Sequence, residues 1–141
     1  IASWPKQIKA GTTSNHISAF YDMMPTFSEI AGITAPEKTD GVSFKNTLLG
    51  KNQQEHDFLY WEFPSYQGQQ AVRMGKWKAI RKNIFKGNLT LELYNLEEDI
   101  KELNDVSKKF PEVIKKMEDI MKQEHTPAEN ERFKFKQLGD K

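Results

Sequence analysis

The chain has 141 residues, a length that suits one ordinary domain or a small domain with an additional arm. Its 21 Lys and Arg residues against 20 Asp and Glu leave a net charge of +1, which provides no overall attraction to nucleic acid. The absence of Cys excludes disulfides, thiolate metal sites and a Cys nucleophile, and no apolar run approaches the roughly 20 residues that a membrane span needs.

The first predicted element is a short helix over residues 23–31. Asp22 is a good N-cap for it, since its carboxylate can accept a backbone N–H of the first turn. Pro25 falls within that turn, where the missing N–H of proline costs nothing, and Gly32 ends the helix. Residues 34–57 are then predicted to be loop around one helical turn.

The middle of the chain changes to a period of two, which indicates an antiparallel sheet of about four strands. The extended segments are FLYWEF, QAVRMG, KWKAIRKN and LTLELYNL, and the breaks between them include Gly75 and the turn at 85–88. In the third segment the basic residues divide between two faces, since Arg81 lies on one and Lys78 and Lys82 on the other. This division favours solvated charges over a surface that tracks phosphates.

An amphipathic helix is predicted after the sheet. Pro111 suits its first position, and Glu112 is favourable in its first turn. The apolar residues that recur at helical spacing are Phe110, Val113, Ile114, Met117, Ile120 and Met121. The predicted fold class is therefore α+β: a small antiparallel sheet packed by a C-terminal amphipathic helix and preceded by an N-terminal arm with a short helix.

Six segments follow one another in order over residues 4–125: WPKQIKAG, DMMPTFSEIAGI, DGVSFKNTLLG, LYWEF, QAVRMGKWKAIR and LELYNLEEDIKELNDV. This order resembles the C-terminal part of bacterial type I sulfatases, the arylsulfatase family of the alkaline-phosphatase-like superfamily. The residues that match the family's motifs, and that we interpret as structural, are Asp22, Pro25, Arg73, Trp77, Tyr94 and Asp99. Two positions depart from the pattern, since Lys6 stands where Gly is usual and Ile100 where Pro is usual.

The resemblance implies a parent enzyme that hydrolyses sulfate esters with a formylglycine and a calcium ion. The formylglycine of that family is made from a Cys/Ser-x-Pro-x-Arg motif, which no segment of this chain fits. No cluster of acids offers the six to eight oxygen ligands that calcium needs. We therefore expect no catalytic residue, metal site or cofactor in this chain, and no activity from the chain alone.

The chain begins at Ile1, and its first segment reads as mid-chain sequence, which favours a fragment of a longer protein. The expected organisation is an N-terminal arm over 1–50 at the edge of a missing catalytic domain, a sulfatase C-terminal subdomain over 51–125, and a polar tail over 126–141. The expected partners are that catalytic domain and a sulfated carbohydrate or aryl sulfate, with neither nucleic acid nor membrane. The family implies a periplasmic or extracellular location.

The resemblance also implies that loops of this part can reach the substrate cleft of the parent enzyme. The best candidate is the loop after LYWEF. The hydrogen-bonding side chains suited to sugars in and beside this loop are Glu62, Tyr66, Gln67 and Gln69. The competing interpretation is that these are solvated loop residues. For Arg73, a structural role is expected, in which it pairs with an acid such as Glu62. The three histidines lack metal-ligand spacing and are interpreted as surface or loop residues. An autonomous carbohydrate-binding or interaction module remains the alternative function.

Overall fold

The computed structural model describes all 141 residues, which divide into two compact units, residues 1–56 and 57–141. The first unit contains helices α1 (Met23–Ala31) and α2 (Lys45–Leu48). The second contains strands β1 (Leu59–Phe63), β2 (Gln69–Met74), β3 (Trp77–Lys82) and β4 (Leu91–Asn95), followed by helix α3 (Pro111–Glu124). This confirms the α+β class with a four-stranded antiparallel sheet and a C-terminal helix. No helix combines the length and the apolar composition that a membrane span requires.

The four strands lie in chain order, and each pairs antiparallel with the next. One row across the sheet pairs Glu62 with Gln70, Gln70 with Arg81, and Arg81 with Leu91. Because side chains alternate along a strand, this row shares its face with the row that contains Val72, which faces α3. Polar residues of three strands are thus brought to the helix-covered face.

The core of the second unit lies between this sheet face and α3. Fully buried side chains on the two sides are Val72, Ala79, Leu93, Met117 and Met121. Each of the larger ones contributes about 1.5–3 kcal/mol through its burial. The predicted role of Met117 and Met121 as helix core, and the packing of α3 across the sheet, are confirmed.

Helix α1 has the predicted bounds, but Asp22 does not cap it in the predicted way. The helix ends at Gly32, whose φ of 71° is left-handed. The carboxylate of Asp22 makes no side-chain cap hydrogen bond, since Oδ1 accepts from Val42 N at 2.9 Å and from His56 Nε2 at 2.8 Å, while Oδ2 accepts from Ala19 N at 2.7 Å. Asp22 is fully buried and connects three segments of the first unit.

The segment after α3 has packing of its own. Phe135 is only 2% exposed, and its ring centroid lies 5.3 Å from that of Phe85. Asp140 is also buried. The sequence predicted a polar tail over 126–141, and its polar composition gave no indication that Phe135 is buried.

Candidate functional site

The polar residues of the helix-covered face form one connected cluster. We call it the Glu62 network, and its members are Tyr60, Glu62, Gln70, Arg81, His125 and Asp140. At its centre, the amide of Gln70 donates from Nε2 to Glu62 Oε1 at 2.7 Å and to the Tyr60 hydroxyl at 2.9 Å, and its Oε1 accepts from Arg81 Nη1 at 2.8 Å. Gln70 is 1% exposed, so these bonds replace those that water would make.

His125, the first residue after α3, bridges two carboxylates. Its Nδ1 lies 2.6 Å from Glu62 Oε1, and its Nε2 lies 2.7 Å from Asp140 Oδ1. Burial lowers the pKa of the imidazole, but the hydrogen bonds to Asp140 and Glu62 outweigh burial and raise the pKa above its usual value. The protonated ring can donate to both carboxylates at once, which a neutral ring cannot do. The interpretation of this histidine as an ordinary surface residue is corrected: it is a partly buried ion-pair partner.

Two further members of the network have shifted ionisation. Burial, together with the Glu62 carboxylate that accepts its hydroxyl, raises the pKa of Tyr60 far above its usual value. Burial lowers the pKa of Arg81, and the carboxylate of Glu118, 3.5 Å from Nη2, opposes that shift. Arg81 Nε also donates to Leu89 O at 2.9 Å. The carboxylate of Glu62 accepts hydrogen bonds from Tyr60, Gln70 and His125. Three donors on one carboxylate fix its position.

The loop between β1 and β2, residues 64–68, has an unusual backbone. Tyr66, Gln67 and Gly68 all adopt positive φ, at 51°, 68° and 77°. Two hydrogen bonds anchor the loop, from Phe85 N to Gln67 O at 2.9 Å and from Ile84 N to Gly68 O at 3.2 Å. Tyr66 is 79% exposed at the tip, where a phenol can contact another molecule.

The structure separates the predicted cleft residues. Tyr66 and Gln67 share the exposed loop, whereas Glu62 lies in the Glu62 network and Gln69 lines a cleft on the opposite sheet face. The expected pairing of Arg73 with Glu62 is wrong, because Arg73 is opposite Leu59 in the register and so faces away from α3. Its Nε instead approaches Gly75 O at 3.4 Å.

The site also contains three residues that were not predicted, Gln70, His125 and Asp140. A signal existed for Gln70, since it stands two residues before the apolar Val72 on the same predicted strand and so shares its face. His125 and Asp140 gave no such signal, because their contacts join residues 63 and 15 positions apart along the chain.

The sheet face that points away from α3 carries an open cleft of about 470 Å³. Trp61 and Phe63 expose ring surface in it, beside the cations Arg73 and Lys78. Lys78 Nζ lies 2.5 Å from Glu102 Oε1 and is thereby partly neutralised. Aromatic rings next to cations suit a ligand with an apolar face and an anionic group.

The residues of this chain do not fit a calcium site. Nowhere in residues 1–141 do three or more His, Cys, Asp or Glu side chains converge where they could hold a metal ion. The acids near one another are instead engaged with His125 or with lysines, as in the pair of Lys82 and Glu92.

The residues that match the sulfatase motifs occupy well-defined positions. Trp77 packs on Phe110 with ring centroids 4.7 Å apart. Tyr94 is buried and donates its hydroxyl to Glu92 at 2.6 Å, while Asp99 Oδ2 accepts from Leu103 N and Asn104 N, each at 2.8 Å. Pro25 is buried on α1. These contacts belong to packing and turns rather than to an open site.

Comparison with known protein families gives a match over most of the chain. The family described as N-sulphoglucosamine sulphohydrolase, C-terminal, matches residues 1–127. The chain belongs to this family. The predicted resemblance to the C-terminal part of sulfatases is thereby confirmed.

Individual sulfatases are similar to this sulfatase C-terminal domain. The ulvan-active sulfatase of Formosa agariphila is 47% identical over 60 residues, which are 43% of this chain and 12% of that protein. The N-acetylglucosamine-6-O-sulfatase of Bacteroides thetaiotaomicron is 30% identical over 118 residues, 77% of this chain and 21% of that protein. The chain thus spans no more than about a fifth of the length of these relatives.

A solved structure of a protein in complex with its substrate, D-glucosamine-2-N,6-O-disulfate, has the same fold over most of this domain. The TM-score is 0.68 at 28% sequence identity, and the match covers 85% of this chain and 27% of that chain. Most of this chain therefore shares its fold with about a quarter of a protein that binds a sulfated sugar.

Replacing Gly68 with Ala is expected to destabilise this domain more than replacing Gly75 with Ala. Both glycines have positive φ, which costs an alanine about 1–2 kcal/mol. Only at Gly68 does the new Cβ meet another residue, at 2.6 Å from Phe135 Cε1, and such overpacking adds about 1–3 kcal/mol. Urea unfolding of the two variants checks this, and equal losses of stability would contradict the close contact with Phe135.

Proposed function

We propose that this chain is the C-terminal domain of a sulfate ester hydrolase that acts on sulfated carbohydrate. The observation that carries the proposal is the family match over residues 1–127, together with the shared fold of a protein bound to a disulfated glucosamine. The sulfatase relatives named above act, by their names, on ulvan and on N-acetylglucosamine-6-sulfate groups. Both names refer to carbohydrates, and they are the basis for proposing a sulfated sugar as the substrate.

In this proposal the nucleophile and the metal belong to a catalytic domain outside these 141 residues. Formylglycine and calcium are expected there, and a periplasmic or extracellular location is expected for the whole enzyme. A patch in the first unit supports packing against such a domain, since Phe20, Met24 and Phe27 are largely exposed. Exposed apolar side chains grouped in this way are typical of surfaces that another domain covers.

The proposed contribution of this chain to substrate binding is the 64–68 loop. Its anchored backbone holds Tyr66 outward, and the side chain of the neighbouring Gln67 is also exposed. A phenol and an amide can hydrogen-bond sugar hydroxyls, and an ordered loop does so with less loss of conformational entropy than a mobile one.

The alternative, an autonomous carbohydrate-binding module, is favoured by the cleft on the outer sheet face. There the rings of Trp61 and Phe63 could pack on a sugar, and Arg73 could pair with a sulfate group. This module would bind sulfated glycans with no catalytic domain present. Calorimetry of the 141-residue chain against sulfated and unsulfated oligosaccharides distinguishes the two functions, because only the alternative predicts binding heat.

The proposed function is tested with the complete gene product and with the 141-residue chain, both assayed for sulfate release from sulfated glucosamines. We expect the complete enzyme to be active and the chain alone to be inactive. In the complete enzyme, Tyr66→Ala is expected to raise KM roughly tenfold, the effect of losing about 1.4 kcal/mol of binding. The matched control is Leu103→Ala, another exposed side chain, which is expected to leave KM unchanged. Sulfate release by the chain alone would contradict the proposal.

A further inference from the structure

We propose that the C-terminal segment 131–140 is a latch that sets the conformation of the 64–68 loop, with Phe135 as the positioning residue and His125 as its clamp. The expected effect on substrate binding rests on the proposed function, in which the 64–68 loop contacts substrate. The latch itself is a coupling between two segments of the second unit and does not depend on the proposed function.

The contact between the two segments is direct. A Cβ built on Gly68 would lie 2.6 Å from Phe135 Cε1 and 3.3 Å from Ile84 Cβ, so the ring of Phe135 lies against the Gly68 backbone. Phe135 is almost fully buried in this position. Gln137 Nε2 also donates to Phe85 O at 3.1 Å, and Phe85 N is the donor that anchors Gln67. The segment therefore supports the loop both directly and through residues 84–85.

A chain of hydrogen bonds holds Phe135 in place. Asp140 Oδ2 accepts from Phe135 N at 2.7 Å, and Asp140 Oδ1 accepts from His125 Nε2 at 2.7 Å. His125 Nδ1 reaches Glu62 Oε1 at 2.6 Å on β1, the strand that leads into the loop. One imidazole thus connects the end of the chain to the beginning of the loop.

The charged and titratable groups around His125 come from four parts of the unit. They are Tyr60 and Glu62 on β1, Arg81 on β3, Glu118 and Lys122 on α3, and Asp140. Of these groups, only Glu62 and Asp140 hydrogen-bond the ring, and both are acceptors. A neutral imidazole has one donor nitrogen, so deprotonation leaves the other nitrogen lone pair facing a carboxylate.

The direction of the pH dependence follows from this arrangement. Because the pKa of His125 is raised in the folded chain, the protonated clamp is fully formed below its ordinary value of 6.5 and is lost as the pH rises through the raised value. The latch is therefore closed below pH 6.5 and loosens as the pH rises through the raised pKa of His125.

The latch uses residues beyond the family match, which ends at residue 127. Phe135 and Asp140 both lie after that position, whereas the loop and Glu62 lie within it. The latch thus joins a segment after the matched residues to a loop within them.

Nuclear magnetic resonance of the 141-residue chain tests the contact. The ring of Phe135 is expected to shift the Gly68 Hα signals strongly, and Phe135→Leu to abolish that shift. Phe133→Leu is the matched control, because Phe133 lies in the same segment but is 43% exposed. Unchanged Gly68 signals in Phe135→Leu would overturn the latch.

A pH titration tests the clamp without any substitution. In the unmodified chain the amide signals of Gln67 and Gly68 are expected to move with the same midpoint as the His125 ring signals. In His125→Gln that midpoint is expected to disappear. In Asp140→Asn, which removes one of the two carboxylates that stabilise the protonated ring, the midpoint is expected to move to lower pH. Loop signals that keep the midpoint of the unmodified chain in both variants would overturn the clamp. So would loop signals that do not follow His125 in the unmodified chain.

The consequence for catalysis is read from the complete enzyme. Phe135→Leu is expected to raise KM for a sulfated sugar severalfold more than it lowers kcat, while Phe133→Leu changes neither. If the resonance experiments show the coupling but KM does not change, the latch is supported and the proposed role of the loop in substrate binding is contradicted. If the coupling is absent, the latch is wrong whatever the kinetics show.

Discussion

Replacing Asp22 with Ala is expected to destabilise the first unit by roughly 3–5 kcal/mol, the loss seen when a buried charged hydrogen-bonding group is removed and its partners stay behind. The variant leaves the N–H groups of Ala19 and Val42 and the ring of His56 without their acceptor. These donors are partly buried, and each costs on the order of 1 kcal/mol when it is left unpaired. Urea unfolding measures the total loss, and hydrogen exchange at the Ala19 and Val42 amides locates it.

Two further variants serve as comparisons for Asp22→Ala. Asp40→Ala removes an exposed carboxylate from the same unit and is expected to change stability by no more than about 0.5 kcal/mol. Asp22→Asn keeps one acceptor oxygen but presents an NH₂ group to one of the remaining donors, so an intermediate loss is expected. Equal stability of the Asp22→Ala and Asp40→Ala chains would show that the buried carboxylate does not hold the unit together.

The fold could be predicted because its elements are local patterns. Strand β3 follows from the alternation around Ala79, and α3 follows from Pro111 and the helical spacing of Met117 and Met121. The bounds of α1 were predicted because Gly32 marks its end. Each of these signals lies within a dozen residues of the element it predicts, where chain geometry alone relates sequence to structure.

The polar contacts could not be predicted, because each depends on a partner that only the tertiary structure brings near. Asp22 had an obvious local role as a cap, yet its acceptors bind donors 20 and 34 residues away. Phe133 and Phe135 look equivalent in ERFKFKQ, and only the tertiary structure, which places Phe135 against Gly68 and Phe85, makes one buried and the other exposed. Arg73 was expected to meet Glu62, but the strand register places them on opposite faces.

These long-range contacts are also the ones that concern function in the proposed enzyme. Glu62 was predicted as a residue that contacts substrate, but three donors already occupy its Oε1 atom. Its place in the structure therefore favours an internal role, in which it fixes the strand that leads into the loop, over a direct role in recognition. Tyr66 retains the exposure that a contact residue needs.

The second large effect is expected at Gln70. Gln70→Leu keeps the approximate shape of the side chain but removes the acceptor of Arg81 Nη1 and a donor to Glu62. Arg81 is 5% exposed, so its guanidinium cannot turn to water for compensation. We expect a loss of about 3 kcal/mol in the free energy of unfolding. Gln69→Leu, one residue away on the open face of the sheet, is the control and is expected to have almost no effect.

A double substitution separates the hydrogen bond from the packing around it. If the cost of Gln70→Leu comes from a buried guanidinium that has lost the acceptor of its Nη1 group, then adding Arg81→Met removes that donor and should recover part of the loss, because two apolar groups of similar shape need no partners. The expected coupling energy between the two sites is on the order of 1–3 kcal/mol in a double-mutant cycle. Additive losses would mean instead that Gln70 acts through packing alone, and that the Glu62 network does not hold β1 to β3 through its hydrogen bonds.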